Sequence, residues 1–164
     1  MNGRVFAVMA TSFFLLGAVS HADPSTTTPQ DVIGESGVQG GLIVHVGCGD
    51  GWLTTALRIN GRFIVHGLDR DQADVERTLA RAEELDLAGR VTASRWAGGR
   101  LPFNDNFVNL LLIDDASYSI NEDEVRRVLA PGGAWMTLSS KAEVVYRKPW
   151  PKEMDQWTHG YHDA

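Results

Sequence analysis

The sequence predicts an α/β fold: a doubly wound, mostly parallel sheet with helices on both faces, three layers in all. Three observations predict it. Apolar runs rich in β-branched residues alternate with amphipathic stretches, the order that builds strand–helix–strand units. The strand candidates, above all residues 42–46 and 107–113, are almost continuously apolar, as strands buried on both faces are. Unusual or polar groups follow the strands: Gly47-Cys48-Gly49-Asp50-Gly51, Asp69, Trp96-Ala97 and Asp114-Asp115. Right-handed crossovers gather such strand ends onto one rim of the sheet, where ligands bind in folds of this kind.

Residues 1–22 fall outside that fold. Met1-Asn2-Gly3-Arg4 carries a positive charge, and the run from Val5 to Val19 is apolar with no charged residue. Ser20-His21-Ala22 then places small residues at the last and third-last positions before a cleavage point at Asp23. That is the three-part pattern of a secretory signal peptide, and the run is too short for a membrane span of about 20 residues. The protein is therefore expected to be exported, periplasmic or secreted, with no stable span after cleavage; an uncleaved anchor is the competing reading. Residues 23–37 read as a linker, rich in Pro, Ser and Thr over its first half. Within it, Thr28-Pro29 is suited to cap a short helix over Gln30 to Glu35, because proline is tolerated at the first helical position. The folded domain is expected over 38–147, and 148–164 as a linker or tail.

The first strand, Leu42 to Val46, is interrupted only by His45. Gly47, Gly49 and Gly51 then remove every other Cβ where the chain bends. Glycine costs conformational entropy on folding, so three together need a reason. Either the backbone approaches a ligand closely, or the turn is simply tight. Trp52 to Ile59 reads as a helix through Leu53, Ala56 and Leu57, and Asn60-Gly61 is expected to stop it in the left-handed conformation. The second strand, Arg62 to Leu68, ends in Asp69. Asp71 caps the next helix, which runs to about Ala88 on a stripe of Val75, Leu79, Ala82 and Leu85.

The third strand, Arg90 to Trp96, is shorter and more polar. Leu101-Pro102-Phe103 is a turn anchored by apolar residues, and Phe107 to Ile113 is the fourth strand. Asn121 caps a helix over Glu122 to Leu129, with Glu124 in the position that completes a capping box. Pro131-Gly132-Gly133 is expected to end that helix, Ala134 to Leu138 to form the fifth strand, and Ala142 to Tyr146 one more.

Composition narrows the class. A chain of 164 residues suits one domain, and 43% hydrophobic content is enough for a real core. The net charge of −6, with no run of Lys or Arg, argues against a nucleic-acid partner. The single cysteine, Cys48, excludes an intrachain disulfide and any multi-cysteine metal site. His159 and His162 are a weak metal signal at the end of the chain, so no metal is expected.

His45-Val46-Gly47-Cys48-Gly49-Asp50-Gly51 resembles the first motif of class I S-adenosylmethionine-dependent methyltransferases. Asp69 matches the acid that holds the ribose hydroxyls in this family. Leu101-Pro102-Phe103 with Phe107 resembles the segment before the fourth strand in the type 11-like, small-molecule subfamily. Val128-Leu129-Ala130-Pro131-Gly132-Gly133 resembles the turn before the fifth strand. The resemblance covers about Val38 to Leu138. It implies a Rossmann-like methyltransferase fold, S-adenosylmethionine as cofactor, and methyl transfer to an unidentified small molecule. It places His45, Gly47, Cys48, Gly49, Gly51, Asp69 and Asp114 at the cofactor, with Asp114, Asp115 and Tyr118 in the substrate-facing loop. No catalytic residue is assigned, because a sulfonium methyl is already activated and needs chiefly to be aligned.

The chain departs from the family at three polar positions: His45 stands for an acid, Ala97 for the Asp that contacts the adenine amino group, and Val108 for the Asp after the phenylalanine. His45 either bridges through water or fills the core; Trp96 either stacks on adenine or packs. Cys48 stands where the family tolerates a small residue and needs no nucleophilic role. One alternative is a degenerate, non-catalytic module of the same fold. Another is a dinucleotide-binding oxidoreductase, which fits less well because Trp52 stands where its last glycine should be. Family members usually have seven strands against five or six here, which implies truncation of the C-terminal strands. The tail resembles the segment that joins such a domain to a pyrroloquinoline-quinone-binding-like β-propeller in some exported bacterial proteins, which would make this chain the amino-terminal piece of a longer one.

Overall fold

Six strands and four helices form among the described residues, in the order α1 (Pro29–Ser36), β1 (Gly41–Val46), α2 (Trp52–Ala56), β2 (Phe63–Asp69), α3 (Gln72–Glu84), β3 (Val91–Arg95), β4 (Val108–Ile113), α4 (Glu122–Val128), β5 (Leu129–Leu138) and β6 (Ala142–Arg147). The computed structural model describes residues 27–114, 117–138 and 142–151. The expected signal peptide, Asp115 and the stretch holding His159 and His162 lie outside the described residues. The strands make one sheet in the order β3-β2-β1-β4-β5-β6. All neighbours are parallel except β6, which runs antiparallel to β5 at the edge. The order turns back between β1 and β4, and the crevice outside their carboxyl ends is the switch point of the sheet.

The apolar strands are covered on both faces, as their composition demands. On one face Ile43, Phe63, Val65, Leu110 and Met136 pack with Val32 and Ile33 of α1, Leu57 and Ala82 of α3. On the other, Val44, Val46, Leu68 and Leu111 pack with Trp96, Leu101, Tyr118 and α4 through Val125 and Val128. The second face is thinner, because the crossover from β3 to β4 contains no helix. Ile64 and Phe107 are each more than half exposed.

Local chemistry moves several boundaries from those the sequence predicts. The cap of α1 forms as a full box: the Thr28 hydroxyl accepts from the Asp31 N–H and the Asp31 carboxylate accepts from the Thr28 N–H. Asn60 and Gly61 do not take the left-handed conformation. Instead α2 ends at Ala56, and the Asn60 side chain accepts from the Arg62 N–H at 2.8 Å, making an Asx turn into β2. Asp86, with φ of 55°, turns the chain after α3, which therefore stops at Glu84.

Leu129 is extended and fully buried, so β5 begins there and takes in Pro131-Gly132-Gly133. The register against β4 shifts between Val108 and Leu110 to admit them. A Cβ on Gly133 would lie 2.8 Å from the Ala130 carbonyl oxygen and 3.0 Å from those of Val108 and Asn109. The capping box predicted at α4 is incomplete. Asn121 accepts from the Asp123 N–H, but the Glu124 carboxylate turns outward to the Leu101 N–H at 2.7 Å and to Arg127 at 2.6 Å.

Candidate functional site

The carboxyl ends of β1, β2 and β4 bring the predicted residues together. The turn after β1 leans on β2 through its backbone: the Gly47 N–H donates to the Leu68 carbonyl at 2.8 Å. Gly47, Gly49 and Gly51 all have positive φ, but they do different work. A Cβ on Gly51 would lie 2.6 Å from the Thr78 Cα, so this glycine lets α3 approach. A Cβ on Gly49 would meet nothing within 4 Å. The open side of the turn is therefore at Gly49, where a ligand has room.

Asp69 is joined to that turn. Its Oδ2 accepts from the Gly49 N–H at 3.1 Å, and its Oδ1 accepts from the Asp71 N–H at 3.1 Å and the Tyr118 hydroxyl at 3.0 Å. Burial works against its charge, but the N–H groups of Asp71 and Gly49 and the Tyr118 hydroxyl outweigh it and hold the carboxyl below its ordinary range. Asp69 is thus an ionised, oriented acceptor, although it is only 6% exposed.

Tyr118, expected in the substrate-facing loop, is buried against Asp69. Its hydroxyl also accepts from the Arg70 N–H at 2.8 Å. Its ring stacks on Trp96, with centroids 6.0 Å apart and planes 12° from parallel, and the Arg70 guanidinium lies 4.2 Å from the ring centroid. Burial, with Asp69 beside it, pushes the hydroxyl up to about 12. Trp96 is held by its own ring N–H, which donates to the Arg100 carbonyl at 3.0 Å.

His45 lies at the other end of the turn, 1% exposed. Its Nδ1 is 2.8 Å from the Thr54 hydroxyl. Its Nε2 is buried without a hydrogen-bond partner and lies 3.7 Å from the Asp114 carboxylate, which is 42% exposed on the rim. The ring therefore presents an unmet polar atom toward Asp114.

Cys48 points away from this group. Burial pushes its thiol up to about 11, and it accepts from the Thr78 hydroxyl at 3.4 Å, so it is a packed, protonated thiol. Sequence reasoning missed Thr54 and Arg70 and the bond of Tyr118 to Asp69. A threonine facing one turn of helix carries no signal of its own, and Tyr118 meets a carboxylate 49 residues away. An open groove of about 940 Å³ between Gly99-Arg100 and the start of α4 adjoins this region, and none of the glycine-turn residues lines it.

These residues fit a nucleoside cofactor with an amino-acid arm at two points: the open space at Gly49, and the unmet Nε2 of His45 beside Asp114. At the third, Asp69, the acceptor is present but Tyr118 is already on it.

A family model described as a methyltransferase domain matches residues 43–133, more than half of the chain. Among solved structures, the 4+2 cyclase SpnF is 25% identical with a TM-score of 0.59, the match covering 66% of this chain and 42% of that one. Geranyl diphosphate C-methyltransferase from Streptomyces coelicolor A3(2), solved with Mg2+, geranyl diphosphate and S-adenosyl-L-homocysteine, is 21% identical with a TM-score of 0.60, covering 66% and 44%. An S-adenosylmethionine-dependent methyltransferase from Aquifex aeolicus is 21% identical with a TM-score of 0.57, covering 70% and 66%. The chain spans about half the length of most solved structures it matches. Among curated proteins none matches it.

Proposed function

Because this chain belongs to the methyltransferase domain family, we propose that its strand-end rim holds S-adenosylmethionine and that the domain transfers a methyl group to a small molecule. The observation that carries this reading is the bond between the Gly49 N–H and the Asp69 carboxylate. It makes the open glycine turn and the oriented acid a single unit, rather than two motifs that happen to share a rim.

A methyl group on a sulfonium is already activated when this cofactor is bound, so the chain has to bind and align more than to activate. Asp69 offers an ionised carboxylate suited to paired ribose hydroxyls. Gly49 keeps the backbone clear beside it. Asp114 supplies a carboxylate at the end where the family's acid is replaced by His45, and Thr54 fixes the orientation of the His45 ring. A general base is required only for an acceptor that must lose a proton, and the reading assigns none. The diphosphate substrate of one structural neighbour belongs to that protein; for this chain the acceptor is proposed only as a small molecule. Residues 1–22 are proposed as a cleaved leader, to be checked by sequencing the amino terminus of the exported protein, expected at Asp23.

Calorimetric titration with S-adenosylmethionine and with NAD tests the cofactor. Heat with the first and none with the second is the expected result; heat with NAD alone, or with neither, overturns it. Asp69→Asn, which keeps the size and removes the charge, should weaken S-adenosylmethionine binding at least tenfold. An unchanged dissociation constant would remove Asp69 from the site.

A further inference from the structure

Resting on the cofactor reading above, we propose that Tyr118 is a built-in occupant of the nucleoside subsite, so that a nucleoside enters only by displacing it. Two contacts are expected of an adenosine at this rim: an aromatic face stacked on Trp96 and a hydroxyl donated to Asp69. Tyr118 makes both, with its ring near parallel to Trp96 and its hydroxyl 3.0 Å from Oδ1 of Asp69. The carboxylate then holds three protein donors on a residue that is 6% exposed. A carboxylate has about four acceptor positions, so with Tyr118 in place it cannot take both hydroxyls of a ribose.

The occupant is held by a second residue. The guanidinium of Arg70 lies over the ring, 4.2 Å from its centroid, and the backbone N–H of Arg70 donates to the same hydroxyl. Arg70 is held in turn, its guanidinium donating to the Ser117 carbonyl and its own carbonyl accepting from Arg95 at 3.0 Å. Turning the Tyr118 side chain out of this clamp therefore breaks two hydrogen bonds of the hydroxyl, to Asp69 and from the Arg70 N–H, and two ring contacts. A ligand that needs the vacated place binds with its intrinsic affinity reduced by the fraction of molecules in which the tyrosine is out. The ligands affected are those with an adenine ring and free ribose hydroxyls; one that uses only the His45–Asp114 end is not.

The test is calorimetry on the purified chain with S-adenosylhomocysteine, adenosine and methionine as probes, in the wild type, Tyr118→Phe and Tyr118→Ala. Tyr118→Ala should tighten S-adenosylhomocysteine and adenosine alike by about tenfold, equivalent to about 1.4 kcal/mol, and leave methionine unchanged. Tyr118→Phe, which frees one acceptor position on Oδ1 but keeps a ring on Trp96, should tighten both by a smaller factor of about three. Should Tyr118→Ala fail to fold by circular dichroism, Tyr118→Phe decides alone. If the wild type binds S-adenosylhomocysteine and neither variant binds it more tightly, the tyrosine is part of the binding wall, and this proposal falls while the cofactor reading stands. If none of the three proteins binds S-adenosylhomocysteine or adenosine, the cofactor reading falls and takes the proposal with it.

Discussion

Two glycines two residues apart in the same turn have opposite reasons for being glycine. Gly51 has φ of 77° and its missing Cβ makes room for the backbone of α3 at Thr78. Gly49 has φ of 53° and faces open space. An L-residue forced into the left-handed conformation costs about 1–2 kcal/mol, and an atom inserted against close-packed backbone about 1–3 kcal/mol more. Gly51→Ala should therefore lower the unfolding free energy by about 2–5 kcal/mol, and Gly49→Ala by only about 1–2 kcal/mol, measured by urea denaturation. The order should reverse for S-adenosylhomocysteine binding, which Gly49→Ala weakens by crowding the open side. Equal effects of the two substitutions on both measurements would show that the turn has no ligand side. The turn and Asp69 were legible from sequence because they follow adjacent strands and their spacing is local. The role of Tyr118 was not, because what directs it is a contact across 49 residues with a carboxylate at the end of β2. Nothing in the residues beside it encodes that.

Element by element, the helices were easier to locate than to end. Asp71 caps α3 and Asn121 caps α4 as their residue types imply. At α4, however, the side chain that pattern reasoning assigns to the cap is taken by a tertiary partner. Glu124 bonds the Leu101 N–H and Arg127, and Arg127 reaches on to Asp105 at 2.6 Å and to the carbonyls of Phe103 and Leu101. This network fastens the Leu101-Pro102-Phe103 segment to α4 and so covers the part of that face where the β3–β4 crossover has no helix. Arg126, one residue earlier, pairs with Glu122 on an exposed surface, a kind of pair that contributes little. Arg127→Ala should lower the melting temperature clearly and loosen the 101–107 segment, read as faster amide exchange there, while Arg126→Ala leaves both almost unchanged. Equal responses would mean that the segment is held by Leu101 packing alone.

At the scale of the whole molecule, the alternation of strands and helices was enough to predict the doubly wound sheet, because strands this apolar have to be covered on both faces. What alternation does not encode is which peripheral segment completes the cover. Residues 23–37 read as a linker because prolines and hydroxyl residues dominate the first half, and the apolar content of the second half is essentially Val32 and Ile33. Those two side chains are 0% and 9% exposed, packed in the same cluster as Ile43, Leu110 and Ala142. The antiparallel edge strand reaches the same helix, since Arg147 donates to the Ser36 carbonyl. Helix α1 thus joins β6 to the centre of the sheet and closes one face. A chain beginning at Val38 would leave that apolar cluster exposed, losing about 1.5–3 kcal/mol for each of the two buried side chains. Compared with a chain beginning at Thr27, it should unfold at lower urea with a loss of about 3–6 kcal/mol. Protection of the β6 amides from exchange should fall further than that of β2, which lies on the far side of β1. Coincident unfolding curves for the two chains would place the boundary of the folded unit after α1 and return residues 29–37 to the role of a spacer.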